Sequence, residues 1–479
     1  MNSINTVATL KKTWQTINQI LNRDRSTTNF HTYIIVNNKK VHNKEIIANS
    51  FNDYFASIGE NLANKIRQPS NISYQNFLTN RVLTSFTFQL IHQNDISKII
   101  KDFKPKTSSG SDGISMKILK TISEPLLPCI TTLVNQSLVT GIFPEKFKLA
   151  KVIPLIKKPN IYTIDNFRPI SLLASISKII EKCVFNQVYS YFESNNHFYG
   201  SQYGYRKLHS TETACLELVD KLMKNLDEGE TPICFFLDLS KAFDTLDHNI
   251  LLNKLKHYGI NGIELNWFKS YLSNRTQYVD IDGTTSKKKA IKTGVPQGSI
   301  LGPLLFIIYM NDINSVSTHF EAILYADDTS LSAVLKAFGN RTPSEISENI
   351  NKDLSSISNW LKANKLSLNI SKTKYMVFRY SQRSRNTLPQ IDISLDGHKL
   401  EKVNKFDFLG LTINETLNWK DHIHKIATKI SKVINILART RKYLSSSILI
   451  NIQLAHTLTD KLWYTMLGFR TEKSHTTCI

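Results

Sequence analysis

Three carboxylates in this chain are spaced so that they could gather around a metal ion. Cys234-Phe235-Phe236-Leu237 is an apolar run of strand length, and it ends at Asp238. An acid at the end of a buried strand has to be solvated, paired or metal-bound, because an isolated buried charge is costly. Eighty-nine residues further on, Ile323-Leu324-Tyr325-Ala326-Asp327-Asp328-Thr329-Ser330-Leu331 sets two adjacent aspartates between two strand-like runs. Side chains alternate along a strand, so both acids aim at one site only from a turn, which a hairpin provides. Three acids brought together repel one another. A hard divalent cation removes that repulsion, and Mg²⁺ keeps coordination places for phosphate oxygens. Two such ions suit in-line phosphoryl transfer, activating a hydroxyl and stabilising a leaving pyrophosphate. Taken singly the features are ordinary, since Asp-Asp turns are common on surfaces and an Asp after a strand often caps the next helix.

Between the acids lies Thr293-Gly294-Val295-Pro296-Gln297-Gly298-Ser299-Ile300-Leu301-Gly302-Pro303. Glycines such as Gly298 let a backbone approach a ligand closely. Gln297, flanked by Pro and Gly, is expected to point its amide outward. An ordinary Gly/Pro loop is the plainer reading.

The elements that must position these groups follow from periodicity and breakers. Ile233 to Leu237 reads as a strand, Lys241 to Tyr258 as a helix, and Tyr278–Ile281 with Lys289–Thr293 as a hairpin. Pro303 to Met310 reads as a buried helix and Glu321 to Ser332 as a hairpin. This mixture indicates an α/β or α+β core. Upstream, Ile96, Ile99, Ile100 and Phe103 make a helical face, and Ser115 to Leu127 a helix stopped by Pro128. Lys151 to Leu155 is expected to be an edge strand because Pro154 interrupts it, with Lys157, Lys158 and Arg168 on loops after it. Residues 1–85 read as helices broken by polar loops, with a helix over Lys44 to Lys65 packing on the main body. A helix is expected from Glu348 to Lys365, then short strands near Tyr375–Tyr380, Ile391–Leu395 and Phe406–Ile413. A last helix lines up Ile423, Ile426, Ile430, Val433 and Leu437 on one face beside Lys425, Lys429, Lys432 and Arg439.

Composition narrows the partners. The 479 residues hold 60 Lys and Arg against 39 Asp and Glu, a net +21. That excess points to a polyanion, nucleic acid first and an acidic membrane second. At 41 % hydrophobic the chain can bury a core, and its length suits two to four packed units. Five scattered cysteines without a C-x-x-C pair argue against a disulfide framework or zinc finger and for a reducing compartment, cytoplasmic or nuclear. The start lacks the pattern of a secretory signal. The most apolar stretch, Ser299 to Met310, is too short to span a bilayer and holds Gly302 and Pro303, so no membrane role is expected.

At these same residues the chain resembles the reverse transcriptase of non-LTR (LINE-type) retrotransposons, close to the Jockey-like group. The blocks run in the family's order from about Lys101 to about Leu444. They are SSGSDGI (Ser108–Ile114), NFRPISLLASISKIIEK (Asn166–Lys182), SQYGYRKLHST (Ser201–Thr211, with Tyr205 where Phe is usual) and FFLDLSKAFDTLDH (Phe235–His248). GVPQGSILGPLLFIIYMNDI (Gly294–Ile313), YADDTSL (Tyr325–Leu331), LSLNISKTKYMVF (Leu366–Phe378) and FLGLTIN (Phe408–Asn414) complete the set. The resemblance implies an α+β right-hand polymerase with fingers, palm and thumb. It implies that Asp238 and Asp327 are the main Mg²⁺ ligands, Asp328 a weaker one, and Leu239 the donor of a backbone carbonyl. Two Mg²⁺ ions are the expected cofactor, with Mn²⁺ as an alternative. Phe243 falls at the aromatic steric gate against a ribose 2′-OH, Arg168 at the finger arginine on the triphosphate, and Gln297 at the residue touching the nucleotide. Lys157 is a weaker phosphate ligand, and Gly298 belongs to the same nucleotide block. Lys372 falls at the lysine that protonates pyrophosphate, with Lys374 as its rival. An RNA template, a DNA primer, dNTPs and the element's own RNA are the implied partners.

The expected division is a helical N-terminal extension over 1–85, fingers with part of the palm over 86–230, and palm over 231–400. A thumb over 401–479 follows, truncated or aberrant at its end. Nine Lys or Arg against three Asp or Glu between Lys402 and Lys442 give that thumb a basic flank for a duplex backbone. Two departures from the family are noted: about a hundred residues stand where an endonuclease is usual, and the stretch from His456 to Ile479 matches no family block. They keep open an impaired remnant that only binds RNA or RNA–DNA hybrid, and more remotely a splicing factor or maturase. The stretch Arg379 to Arg385 is at most a weak nuclear signal, more simply a solvated loop.

Overall fold

The computed structural model describes residues 33–36, 38–66, 72–78, 82–339, 342–380 and 390–440. The sequence expectations for the first 32 residues, for most of Arg379–Arg385, for Lys442 and for the tail from 441 fall outside them.

The chain is a mixed helix-and-sheet fold built on two five-stranded sheets. Strands β1 (Ile34–Val36) and β2 (Lys39–Val41) pair as a small hairpin. This corrects the all-helical reading of the N-terminal segment, which missed a β-branched pair of strands too short to show periodicity. Helix α1 (Lys44–Lys65) follows, its first turn capped by Asn43 Oδ1 accepting from the Glu45 and Ile46 N–H groups.

Helices α2 (Gln93–Asp102), α3 (Met116–Thr121) and α4 (Ser123–Thr140) come next. Pro128 does not stop a helix: the chain breaks at Ile122, restarts, and carries Pro128 inside α4 as far as Gly141, whose left-handed backbone ends it. The break already falls six residues before the proline, so Pro128 costs α4 one early hydrogen bond only.

The first sheet orders β4 (Phe167–Leu172), β3 (Leu149–Ile156), β6 (Arg275–Ile281) and β7 (Thr284–Thr285), with β8 (Lys289–Ile291) also on β6. Strand β3 is therefore internal, against expectation. Pro154 is tolerated because β6 pairs β3 only from Leu149 to Val152, so the second half of β3 has one neighbour. Helix α1 covers this sheet, with Ile47, Ala48, Phe51 and Phe55 packed on Ala150, Val152, Phe167, Val279 and Ile281.

Helices α5 (Ser175–Ser194) and α6 (Thr211–Asp227) lead to β5 (Pro232–Leu237). The expected helix over Lys241–Tyr258 is a 3-10 turn at Ala242–Asp244 followed by α7 (His248–His257), capped by Asp247. Then come α8 (Gly262–Leu272) and the buried α9 (Leu301–Met310), and the hairpin β9 (Glu321–Tyr325) with β10 (Asp328–Val334). Helix α10 (Pro343–Ala363), β11 (Lys374–Val377), the small hairpin β12 (Ser394–Leu395) and β13 (His398–Lys399), and β14 (Glu401–Lys402) follow.

The second sheet runs β14-β11-β5-β10-β9, with β5 near its centre. Alternate residues of β5 feed two cores. Ile233, Phe235 and Leu237 join α9 and its neighbours. Cys234 and Phe236 join α6 and the hairpin β15 (Lys405–Phe408) with β16 (Leu411–Asn414). A strand covered on both faces is apolar throughout, which is why it reads as an unbroken run.

Helix α11 (Lys420–Thr440) packs its first turns on β16. Of its expected apolar face Ile426 is buried, whereas Ile423 and Ile430 stay exposed, because no described element lies along the rest of the helix. Among the described residues no helix is long and apolar enough to cross a membrane.

Candidate active site

The register of the second sheet brings the acids together. Strands β5 and β10 pair antiparallel with Leu237 opposite Thr329, so one step outward sets Asp238 opposite Asp328. Tyr325 pairs with Asp328, which leaves Ala326 and Asp327 as a two-residue turn with Ala326 left-handed at φ 58°. A residue with a Cβ is strained there, and the flanking pairs hold it. Asp327 and Asp328 both reach solvent on their outer side. Protein on their inner side and the neighbouring acids act on both: Asp328 is pushed up to about 6, by burial first and then by Asp327 and Asp238. Asp327 is raised by burial and by Asp238, with Arg168 opposing. Among the described residues no three His, Cys, Asp or Glu side chains stand close enough to hold one metal ion alone. Hard oxygen donors that repel one another fit a divalent cation that completes its shell with other oxygens.

The segment after Asp238 is fixed by backbone bonds. The Ser240 N–H donates to Ser367 O at 2.7 Å and the Asn369 N–H to Asp238 O at 2.8 Å. Leu239 sits between them, paired with Leu368, and its own carbonyl is used by neither bond. The Lys372 Nζ lies 3.4 Å from Asp238 Oδ2. Lys374 turns away, its ammonium on Glu401 and on Ser371 O. Of the two rival lysines, only Lys372 reaches the acids. The Phe243 ring stacks on Phe306 at 4.6 Å and meets Tyr205 edge-on at 6.1 Å. Tyr205, itself left-handed at φ 60°, feels the Asp327 charge.

A group of cations gathers around Arg168. Arg168 projects from β4 opposite Leu155 of β3 and lies within the field of Asp327. Lys157 Nζ donates to Asp165 O at 3.1 Å. Burial, the touching Lys241 ammonium and Arg168 together push Lys157 down to about 8. Lys241 is left-handed at φ 51°, and its Nζ rests 5.4 Å from the centre of the Tyr54 ring of α1.

The glycine-rich loop packs on β4 and on the turn at Asp244, and here the expectation for Gln297 is corrected. Its amide turns inward, Nε2 donating to Asp244 Oδ1 at 2.8 Å. A buried carboxylate within reach is a stronger partner than water. The Gln297 carbonyl accepts from the Ser171 N–H at 2.8 Å, which docks the loop on β4. Gly298, at φ 137°, is needed for that docking, since a Cβ there would stand 2.4 Å from Ser171 O.

The sequence model of the family described as "Reverse transcriptase (RNA-dependent DNA polymerase)" matches residues 156–413, more than half of the chain. The chain belongs to the reverse transcriptase family. It is similar to a probable RNA-directed DNA polymerase from transposon BS of Drosophila melanogaster, 28 % identical over 71 % of this chain and 37 % of that protein. It is similar to the RNA-directed DNA polymerase from mobile element jockey of the same fly, at 26 % over 83 % of this chain and 43 % of that protein. A third relative, from transposon X-element, is 27 % identical over 70 % and 36 %. The chain spans well under half the length of these relatives. The Jockey-like resemblance carried by the motifs is thus met by the jockey element itself.

In this reverse transcriptase the structure brings Lys372 onto Asp238 and Arg168 into the field of Asp327, sets Lys157 beside Arg168 and Lys241, and ties Gln297 to Asp244, the neighbour of Phe243. Three neighbours were not foreseen. Lys241 was read only as a helix start, and its positive φ has no sequence signal in a lysine. Tyr205 was noted only as a departure from Phe. Asp244 was quoted within its block without a role, although an acid directly after Phe243 in a catalytic block is a signal that could have flagged it.

Proposed function

We propose that this chain is the polymerase part of a non-LTR retrotransposon reverse transcriptase, adding deoxynucleotides to a primer 3′-OH along an RNA template. The observation that carries the reading is the meeting of Asp238, Asp327 and Asp328 at one sheet end, with Arg168 in the field of Asp327, in a chain of this family. Asp238 and Asp327 would hold two Mg²⁺ ions, with Mn²⁺ as a substitute, helped by Asp328 and the Leu239 carbonyl. Ions bound there neutralise the acids and polarise the phosphoryl oxygens.

The chain's own groups do the rest. Arg168 and Lys157 grip the triphosphate of the incoming dNTP. Phe243 closes the space a 2′-OH needs. Gln297 contacts the nucleotide, with the Gly298 backbone beside it. Lys372 gives its proton to the departing pyrophosphate. We read residues 86–230 as fingers with part of the palm, 231–400 as palm and 401–479 as thumb; the first sheet spans the first two, taking β3 and β4 from one and β6, β7 and β8 from the other. The basic flank of that thumb suits a primer–template duplex. The element RNA is the proposed template, in the cytoplasm or nucleus.

Primer extension tests the reading: purified chain, RNA template, DNA primer, dNTPs and Mg²⁺, beside Asp327→Asn. Extension by the wild type that the variant loses is the expected result. Tight template–primer binding without any nucleotide incorporation would overturn it in favour of a binding-only remnant.

A further inference from the structure

Asp244 lies on the 3-10 turn that follows Asp238, one residue beyond the Phe243 ring. Its carboxyl group is buried, with Oδ1 accepting from Gln297 Nε2 at 2.8 Å. Its Oδ2 has no hydrogen-bond partner among the described residues. The side chain it bonds is thus that of the site's own glutamine, with the charges of Lys241 and Lys157 acting on it from further off. Charge held this way is costly to the fold, and a neutral or apolar residue would pack there more cheaply.

The bond also settles which way the amide faces. An ionised carboxylate only accepts, so the NH₂ end of Gln297 must turn towards Asp244. The amide carbonyl and one N–H are left for the open side. The Gln297 main chain is pinned independently by Ser171, so both the backbone and the head of this residue are fixed.

Part of the packing on the Asp244 turn comes from outside the family match. Helix α1 ends well before residue 156, yet its Gly59 backbone lies directly on the turn. A Cβ at Gly59 would stand 1.9 Å from Asp244 O and 2.4 Å from Thr293 Oγ1. The Thr293 hydroxyl in turn donates to Asp244 O at 3.1 Å. The first helix thus forms part of the wall behind the Gln297 loop.

We propose that Asp244 is a positioning residue: through its bond to Gln297 it presents that amide in one orientation to the incoming nucleotide, on a turn whose backbone is backed by Gly59 of α1. The inference rests on the polymerase reading above. The test is steady-state primer extension by the full chain at saturating template–primer, comparing Asp244→Asn, Asp244→Ala, Gln297→Ala and the double Ala variant.

Asp244→Ala should raise the KM for dNTP about tenfold while kcat changes little, the loss of one charge-assisted hydrogen bond. Asp244→Asn, whose side-chain oxygen still accepts, should restore most of it. The double variant should be no worse than Gln297→Ala, because the two residues act as one unit. A folded Asp244→Ala chain with the wild-type KM, or effects that multiply in the double variant, would overturn the proposal and leave the polymerase reading standing. If Asp244→Ala fails to fold, Asp244→Glu takes its place: it keeps the charge but shifts the carboxylate, and a wild-type KM there is equally fatal. If the wild type itself does not extend primers, the polymerase reading falls first. Hydrogen exchange of ¹⁵N-labelled glutamine side chains then decides the bond alone: slow exchange at Gln297 that Asp244→Asn keeps supports it, and free-amide exchange overturns it.

Discussion

The acid group and the cation group are mirror images in charge but not in construction. Asp238, Asp327 and Asp328 gather by strand register and a two-residue turn, within one sheet whose central strand β5 is buried on both faces. Lys157, Arg168 and Lys241 gather across three elements: the end of β3, the face of β4 and the turn after β5, with the Tyr54 ring of α1 beneath. In both groups burial first and like-charge repulsion second raise Asp328 and lower Lys157. The acids are held by backbone, the cations by long side chains that can move. A fixed acid set suits a step that needs reacting atoms aligned, and a yielding cation set suits a triphosphate that must enter and leave. In such a division the acids govern kcat and the cations govern KM.

The largest effect should come from the acids. Asp238→Asn is expected to lower kcat for primer extension on the order of 10³-fold or more, with template–primer affinity in a gel-shift assay nearly unchanged. A loss seen only in KM would break the division. Next comes Arg168→Ala, expected to raise the dNTP KM about 10- to 100-fold with a small change in kcat. Arg168→Lys should recover little, because a lysine lacks the planar fork. Lys157 should have a smaller, pH-dependent role. Its depressed value near 8 means that it loses its charge as pH rises through 8. The kcat/KM for dNTP, which reports the free enzyme, should fall a few-fold on that limb, and Lys157→Arg should flatten it.

The same contrast explains what could be read from the sequence. The acids, the buried run before Asp238 and the hairpin around Asp327 were legible because strands and turns are local and β5 is apolar on both faces. The cation group was half legible. Arg168 and Lys157 came from motif resemblance, but their meeting with Lys241 depends on β3 running parallel beside β6, with the Gln297 loop docked on β4. Such long-range packing leaves no periodic trace. Pro154 shows why a local rule misfired: a proline marks a missing neighbour at one residue, not an edge along the whole strand. Gln297 was expected to turn outward and turns inward, since its partner Asp244 lies 53 residues earlier in the chain.

The smallest effect concerns stability without metal. Asp328 has a folded-state value near 6 against an ordinary 3.8, so the fold tolerates its ionised form less well than the unfolded chain does. For a carboxyl raised in this way, the favourable contribution is present when the group is protonated. It is lost as pH rises from 3.8 through 6. Asp328→Asn removes the charge and should therefore raise the melting temperature of the metal-free protein at pH 8, with the difference vanishing near pH 4. Added Mg²⁺ should shrink the gap by stabilising the wild type, since an ion bound only by the folded chain shifts the equilibrium towards it. A neutralising change at the cation group, Lys157→Met, should give a smaller gain, because a long exposed side chain relieves repulsion by moving. Equal gains at both groups would mean that the acids are as yielding as the cations, and the assignment of kcat to one and KM to the other would lose its physical basis.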